Sequence, residues 1–190
     1  MGSLFLLAAL VMLPVIAFAG LTPGAAPYCG TDGCFWDSAP ATLLSQEVRL
    51  QVEASAKARS SFSAYVALPG VRLGLAAIEA IISLPFGLLL ACVGLALRRL
   101  GAPGEDAMVE ALQWLKRGSA AAVIWALASP VYETLVESFL SPGTPTGPTL
   151  QIVVNLAYIT TSLLLALAAY AVTGAMETAI RNQNELDGFV

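Results

Sequence analysis

The sequence contains no histidine, and charged residues make up only 12% of its 190 positions. Histidine is the commonest general base near neutral pH and the commonest metal ligand, so its absence makes an enzyme less expected. The nine basic residues are scattered and the formal net charge is −4, which argues against a nucleic-acid-binding surface. Hydrophobic residues make up 57% of the chain and the mean hydropathy is +0.77. This composition is that of an integral membrane protein.

Patterns typical of other catalysts are missing as well. A membrane serine protease needs a nucleophile with a histidine or lysine base, and an intramembrane aspartyl protease needs two aspartates within its spans. Neither arrangement occurs, and no glycine-rich loop with a lysine is present to bind phosphate. We therefore expect a non-enzymatic protein with no cofactor and no metal.

Long apolar runs organise the chain. The clearest runs from Val71 to Leu97, where only Arg72 and Glu79 are charged. As a helix it would reach roughly 40 Å, more than the ~30 Å hydrocarbon core of a bilayer. We predict an all-α integral membrane protein, a single membrane domain over 1–190, with four transmembrane helices and a polar outer loop at about 21–70. The spans are expected at about 4–20, 71–97, 119–140 and 150–174.

The first apolar run has two interpretations. Its length is a little short for a span, and Ala17-Phe18-Ala19 before Gly20 is a small-x-small site at which a signal peptide could end. However, the basic region that normally begins a signal peptide is missing. An uncleaved transmembrane anchor and a cleaved signal peptide both stay open.

The polar loop carries Cys29 and Cys34 on either side of a turn-prone Gly-Thr-Asp-Gly. A disulfide between them would constrain the unfolded chain by roughly 2 kcal/mol and would place the loop in an oxidising compartment. Two free thiols and half of a metal site are the alternatives. Further along, the alternation over 48–54 favours a short strand, but Leu44, Val48 and Val52 also recur every four residues, as on a helix, so both interpretations stay open. A surface helix through Phe62 and Tyr65 is expected to follow.

Basic residues predict the orientation. Arg98, Arg99, Lys116 and Arg117 lie beside the second and third spans, and the connection after the third has none. The positive-inside rule puts this cluster in the cytoplasm, together with a short amphipathic surface helix over 105–117. The tail from Ala175 would be cytoplasmic too. Both termini are then cytoplasmic if the first segment is retained.

A resemblance to a known family rests on three features. They are the Gly104-Glu105 step into Met-Val-Glu-Ala-Leu-Gln-Trp-Leu-Lys-Arg, the span containing Pro130, and the closing Asn184-Glu-Leu-Asp-Gly-Phe-Val190. In these the chain resembles, over about 70–190, the bacterial inner-membrane family called domain of unknown function 2975. The resemblance implies a four-helix topology and an association of some members with small helix-turn-helix regulators. It implies no reaction, and the family pattern has a basic N-terminus and lacks the cysteine pair.

Several polar residues are expected at one level of the outer membrane half. Arg72 precedes Glu79 by seven residues on one helical face; Tyr132, Glu133 and Glu137 lie toward the outer end of the third span; and Gln151, Asn155 and Tyr158 lie in the fourth. We predict a polar pocket of Arg72, Glu79, Tyr132, Glu133 and Asn155, with Arg72 facing both carboxylates. Packing between helices, a small-ligand or ion site and a proton relay are the three interpretations. Cys92 is expected to be an inert apolar residue.

Taken together, these features favour an accessory or signal-relaying protein of the bacterial inner membrane. Its expected partners are the lipid bilayer and a cytoplasmic regulator or another membrane subunit, with a homo-oligomer as a further form. A small transporter or channel subunit that uses a Glu/Arg site in the membrane is the first alternative. A purely structural subunit of a larger membrane complex is the second.

Overall fold

The structure is a computed structural model that describes residues 2–30, 33–101, 106–150, 152, 159–161, 163–164, 167–175 and 178. Among these residues, the helices and strands up to residue 140 are α1 (Gly2–Leu21), β1 (Ala26–Gly30), β2 (Gly33–Asp37), α2 (Gln46–Glu53), α3 (Ala56–Val66), α4 (Pro69–Leu100) and α5 (Asp106–Leu140). Two 3-10 turns cover Pro40–Leu43 and Ser141–Gly143, and residues 167–175 are helical.

Three of the helical stretches are long and apolar enough to cross a membrane: Gly2–Leu21, Pro69–Leu100 and Ala107–Gly143. They correspond to the first three predicted spans, and together they are characteristic of a multi-pass membrane protein. Helices are expected here because a bilayer offers the backbone no other hydrogen-bond partner. The fourth predicted span, 150–174, lies partly outside the described residues and stays a prediction.

The third span differs from the prediction. A separate surface helix over 105–117 was expected before a span that begins at 119, but α5 runs without a break from Asp106 to Leu140. Gly118 does not end the helix. It is buried, and a Cβ there would lie 3.2 Å from Cβ of Cys92 on α4. The glycine therefore allows two helices to approach each other closely.

The predicted strand over 48–54 is wrong, because residues 48–53 belong to α2 and Ala54 caps the end of that helix. Val48 and Val52 are both buried, and four-residue spacing places them on one face of a helix. Burial of that face outweighs the alternation of polar and apolar residues. The helix through Phe62 and Tyr65 is confirmed as α3, where Oγ of Ser55 accepts a 3.0 Å hydrogen bond from the Ala58 N–H.

The cysteine pair belongs to a β-hairpin that the sequence did not predict. Strands β1 and β2 are antiparallel, with Cys29 opposite Cys34. The predicted disulfide joins them, with an S–S distance of 2.05 Å. Trp36 of β2 meets Phe18 of α1 edge to face, with 6.3 Å between ring centroids. The hairpin is thereby attached to the end of α1.

The chain divides into two compact units. The first contains the described residues of Met1–Met12, Leu84–Ala128 and Asn155–Val190, and the second contains Leu13–Ser83 and the described residues of Ser129–Val154. The prediction of one membrane domain stays a prediction. The second unit holds a buried apolar cluster, made by Leu44, Val48, Val52, Phe62, Val66, Val71, Leu75, Ile78, Val136 and Leu140.

Candidate functional site

Glu79 of α4 is the centre of a hydrogen-bonded group in the second unit. Its Oε1 accepts a 2.8 Å hydrogen bond from the Ser83 hydroxyl. Its Oε2 accepts a 3.0 Å hydrogen bond from the Tyr132 hydroxyl of α5. Glu79 and Tyr132 are half-buried and Ser83 is buried. Each carboxylate oxygen therefore has a donor within the protein.

The local sequence explains one of these two hydrogen bonds, the one from Ser83. Glu79 and Ser83 are four residues apart on one helix, so their side chains share a face. Tyr132 lies 53 residues from Glu79 in the chain and approaches it from another helix. An ionisable side chain within a span is costly unless a partner satisfies it, and the two hydroxyls are such partners.

A second carboxylate of interest, that of Glu137, lies on α5 one turn after Glu133. Glu137 is buried, with 4% of its surface exposed. Its Oε1 accepts a 3.3 Å hydrogen bond from the backbone N–H of Ser45. This bond joins the segment before α2 to the last turns of α5.

A cavity of about 330 Å³ lies beside these carboxylates. Its lining includes Thr42, Ser45, Tyr132, Glu133, Val136 and Glu137. Tyr132 also binds Glu79, so the cavity borders the Glu79 group. The volume falls at the small end of the range for ligand pockets, about 300 Å³ and upward. We refer to it below as the acidic cavity.

The structure brings together only part of the predicted pocket. Glu79 and Tyr132 are in contact, and Glu133 lines the adjoining cavity. Arg72 is exposed, and within the described ranges it forms no ion pair. Glu79 is bound by the hydroxyl groups of Ser83 and Tyr132 in place of Arg72, and the predicted facing of Arg72 with Glu133 stays a prediction. Asn155 lies outside the described residues.

This arrangement can accept hydrogen bonds or attract positive charge. In the part of the chain that the structure describes, no lysine or arginine lies within 4.0 Å of Glu79, Glu133 or Glu137. No three Cys, Asp or Glu side chains in the same part are arranged to hold a metal ion. The carboxylates could bind a polar or cationic ligand in the acidic cavity, or they could serve only to hold the helices together.

The sequence did not predict Ser83 and Ser45 as partners of these carboxylates. The four-residue spacing from Glu79 would have indicated Ser83. Ser45 contributes a backbone N–H from a distant segment, which no side-chain pattern can signal.

Residues 40–66, which contain α2 and α3 and are called the surface segment below, pack on the ends of α4 and α5. The Tyr65 hydroxyl donates a 3.1 Å hydrogen bond to the carbonyl of Phe139. The Phe139 ring fills the space beside Gly74 of α4, where a Cβ atom would collide with it. The surface segment is thus part of the same packed unit as the helix ends.

The chain matches no family model, and no curated protein or solved structure matches it either. The family resemblance described above rests on the sequence motifs alone and stays a prediction.

Proposed function

We propose that this chain is a non-enzymatic protein of the bacterial inner membrane that relays a signal from the surface segment to a cytoplasmic protein partner. In this proposal the surface segment and the disulfide hairpin face the exterior, and both chain termini are cytoplasmic. The observation that carries the proposal is the continuous apolar packing of the surface segment with the ends of α4 and α5.

The packing supports a relay because the surface segment is packed firmly against the helix ends and is not a loosely attached loop. Val48 and Val52 of α2 and Phe62 of α3 share one buried cluster with Leu75 of α4 and Leu140 of α5. Protein interiors are packed as densely as organic crystals, so a displaced side chain forces its neighbours to move. A change in the surface segment would therefore shift the helix ends.

Two polar contacts link the surface segment to α5 in particular. The Ser45 N–H binds the buried Glu137, and the Tyr65 hydroxyl binds the Phe139 carbonyl. Both contacts hold the surface segment on the last turns of α5. Hydrogen bonds to a buried carboxylate are expensive to break, because the acceptor is left without its partner. Moving the surface segment would thus act first on α5.

The opposite end of α5 offers a polar surface to a partner. Arg99 and Glu110 form a 3.0 Å ion pair, and both side chains are about half exposed. One turn and a half further, the Arg117 guanidinium lies 4.8 Å from the centre of the Trp114 ring. Trp114 is half-buried and Arg117 is exposed, and both residue types are enriched where proteins bind each other. This surface is the proposed contact for the cytoplasmic regulator.

The relay is tested by deleting one N–H group. Ser45 has a φ of −56° and Leu44 before it has a ψ of 153°, both of which suit proline at position 45. Ser45→Pro therefore removes the donor to Glu137 with little other change. Ser45→Ala keeps that N–H and is the matched control. The reporter is the thiol introduced by Gln113→Cys, an exposed position on α5, in a Cys92→Ala background.

We expect Ser45→Pro to change the rate of maleimide labelling at position 113 in membranes, and Ser45→Ala to leave it at the reference value. The yield of crosslinking from position 113 to the proposed cytoplasmic partner should change in Ser45→Pro and stay at the reference value in Ser45→Ala. Equal labelling and equal crosslinking in the two variants would contradict the relay.

A second function, a small transporter or channel subunit, is favoured by the acidic cavity. Glu133 and Glu137 line it without a basic partner within 4.0 Å among the described side chains. In proteoliposomes containing the full chain, this function predicts a proton or monovalent-cation flux that Glu137→Gln lowers and the exposed Glu53→Gln does not. A flux equal to that of empty vesicles would reject it.

A further inference from the structure

A second cavity, in the first unit, is unused by the proposed relay. It is an open groove of about 610 Å³ between α5 and the helical residues 167–175. Lys116, Ser119, Ala120, Ile124, Tyr170 and Thr173 are among the residues that line it. It is called the α5 groove below, and we propose that it binds one anionic phospholipid.

The walls of the α5 groove are apolar despite their hydroxyl groups. The Ser119 hydroxyl donates to the carbonyl of Lys116 over 2.8 Å. The Thr173 hydroxyl donates to the carbonyl of Tyr170 over 2.7 Å. Because each hydroxyl donates to its own helix, most of the surface left for a ligand between the Lys116 and Tyr170 head groups consists of carbon atoms. Such a surface suits an acyl chain.

The groove opens toward the medium that surrounds the helix. Ile124 is 55% exposed and Tyr170 is 68% exposed. Both flank a groove on a helix that is long and apolar enough to cross a membrane. In a bilayer the molecules that reach such an opening are lipids, and tyrosine is a residue favoured where acyl chains meet head groups.

The basic residues beside the groove favour a lipid with an anionic head group. Lys116 is one of the residues that line the groove, and Arg117 follows it in the sequence. The nearest acidic residues in the sequence of α5 are Glu110 and Glu133, so Lys116 and Arg117 are the two charged residues of α5 at this end of the groove. A basic pocket between transmembrane helices is a typical site for an anionic head group. The phosphate group would bind near Lys116, and an acyl chain would lie along Ala120 and Ile124.

Native mass spectrometry of the full chain in detergent tests the proposal, with phosphatidylglycerol and phosphatidylcholine of identical acyl chains as the two probes. We expect phosphatidylglycerol to bind the wild type at least fivefold more tightly, about the factor for one basic side chain at an anionic lipid surface. Lys116→Ala should remove that preference. Lys57→Ala is the matched control, since Lys57 is an exposed lysine of α3 outside the groove, and it should keep the preference.

Ala120→Phe tests the acyl-chain part of the site. Ala120 is exposed, so the phenyl ring of the variant fills the groove without disturbing the core. The substitution should weaken the binding of both lipids. A phosphatidylglycerol with a diazirine in its acyl chain should label peptides that contain residues 119–124 in the wild type, which does not depend on the folding of any variant.

Three results would overturn the proposal. The first is equal affinity of the wild type for the two lipids, and the second is an equal loss of preference in Lys57→Ala and Lys116→Ala. The third is unchanged binding in Ala120→Phe together with labelling confined to other peptides, which would mean that the lipid binds elsewhere on the surface.

Discussion

The Tyr132 hydroxyl lies 3.0 Å from Oε2 of Glu79 and donates a hydrogen bond to it, which joins α5 to α4. The other oxygen of the carboxylate is bound by Ser83 of its own helix. Glu79 is therefore satisfied by two neutral hydroxyl groups, and the arginine on its own helical face, Arg72, is left exposed. This arrangement allows the acid to stay within a span without an ion pair.

Tyr132→Phe should lower the free energy of unfolding by about 1 to 1.7 kcal/mol. Hydrogen bonds between membrane helices contribute about 0.6 kcal/mol on average and at most about 1.7, and a carboxylate acceptor belongs at the upper end. The loss can be measured by SDS-induced unfolding of the purified chain. Tyr170→Phe removes an exposed phenol and should change stability by less than about 0.5 kcal/mol.

A double-mutant cycle isolates the bond itself. If Tyr132 stabilises the protein through Glu79, then Tyr132→Phe should cost less in a Glu79→Gln background than in the wild type, because that background has already lost the charged acceptor. A Tyr132→Phe cost that is the same in both backgrounds would mean that the hydroxyl acts through another group.

Gly74→Leu should destabilise the second unit by about 1 to 3 kcal/mol, the usual cost of overpacking a core. Any Cβ at this position collides with the Phe139 ring. Gly70→Ala is the matched control on the same helix, since no atom lies within 4 Å of a Cβ there, and it should be neutral or slightly stabilising. Thermal unfolding in detergent compares the two. Phe139→Leu should recover part of the Gly74→Leu loss, and no recovery would place the clash elsewhere.

Gly94→Leu distinguishes a retained first helix from a cleaved one. A Cβ at Gly94 would lie 2.9 Å from the carbonyl oxygen of Gly2 and 3.1 Å from Leu6 Cγ. If α1 is retained, Gly94→Leu should lower stability by about 1 to 3 kcal/mol, and the intact mass should be that of the full chain. A mass that lacks residues 1–19, with a neutral Gly94→Leu, would establish cleavage.

Thiol labelling in intact cells tests the orientation. With Cys92 replaced by alanine, a membrane-impermeant maleimide should label Cys29 and Cys34 only after reduction, because they form a disulfide in a region proposed to be external. In the wild type, Cys92 is 1% exposed and should react only after denaturation. Labelling of the pair only in opened cells would reverse the proposed topology.

The sequence was sufficient for the features that depend on a few neighbouring residues. The run from Val71 to Leu97 predicts a spanning helix because its length and hydropathy are local properties. The five-residue separation of Cys29 and Cys34 likewise predicted their disulfide. The same local reasoning was ambiguous at 48–54, where alternation favoured a strand and four-residue spacing favoured a helix. The structure forms the helix, which buries Val48 and Val52 on one face.

Tertiary structure decided what the polar residues bind. Sequence spacing placed Arg72 on the face of Glu79, yet the partner of Glu79 is Tyr132, 53 residues away. That choice depends on the rotation of α5 against α4, which follows from the packing of Phe139 against Gly74 and of Val136 and Leu140 into the apolar cluster. The apolar runs determine which segments can enter the membrane because transfer into lipid depends on composition, whereas contacts between segments depend on side-chain shapes that meet only after folding.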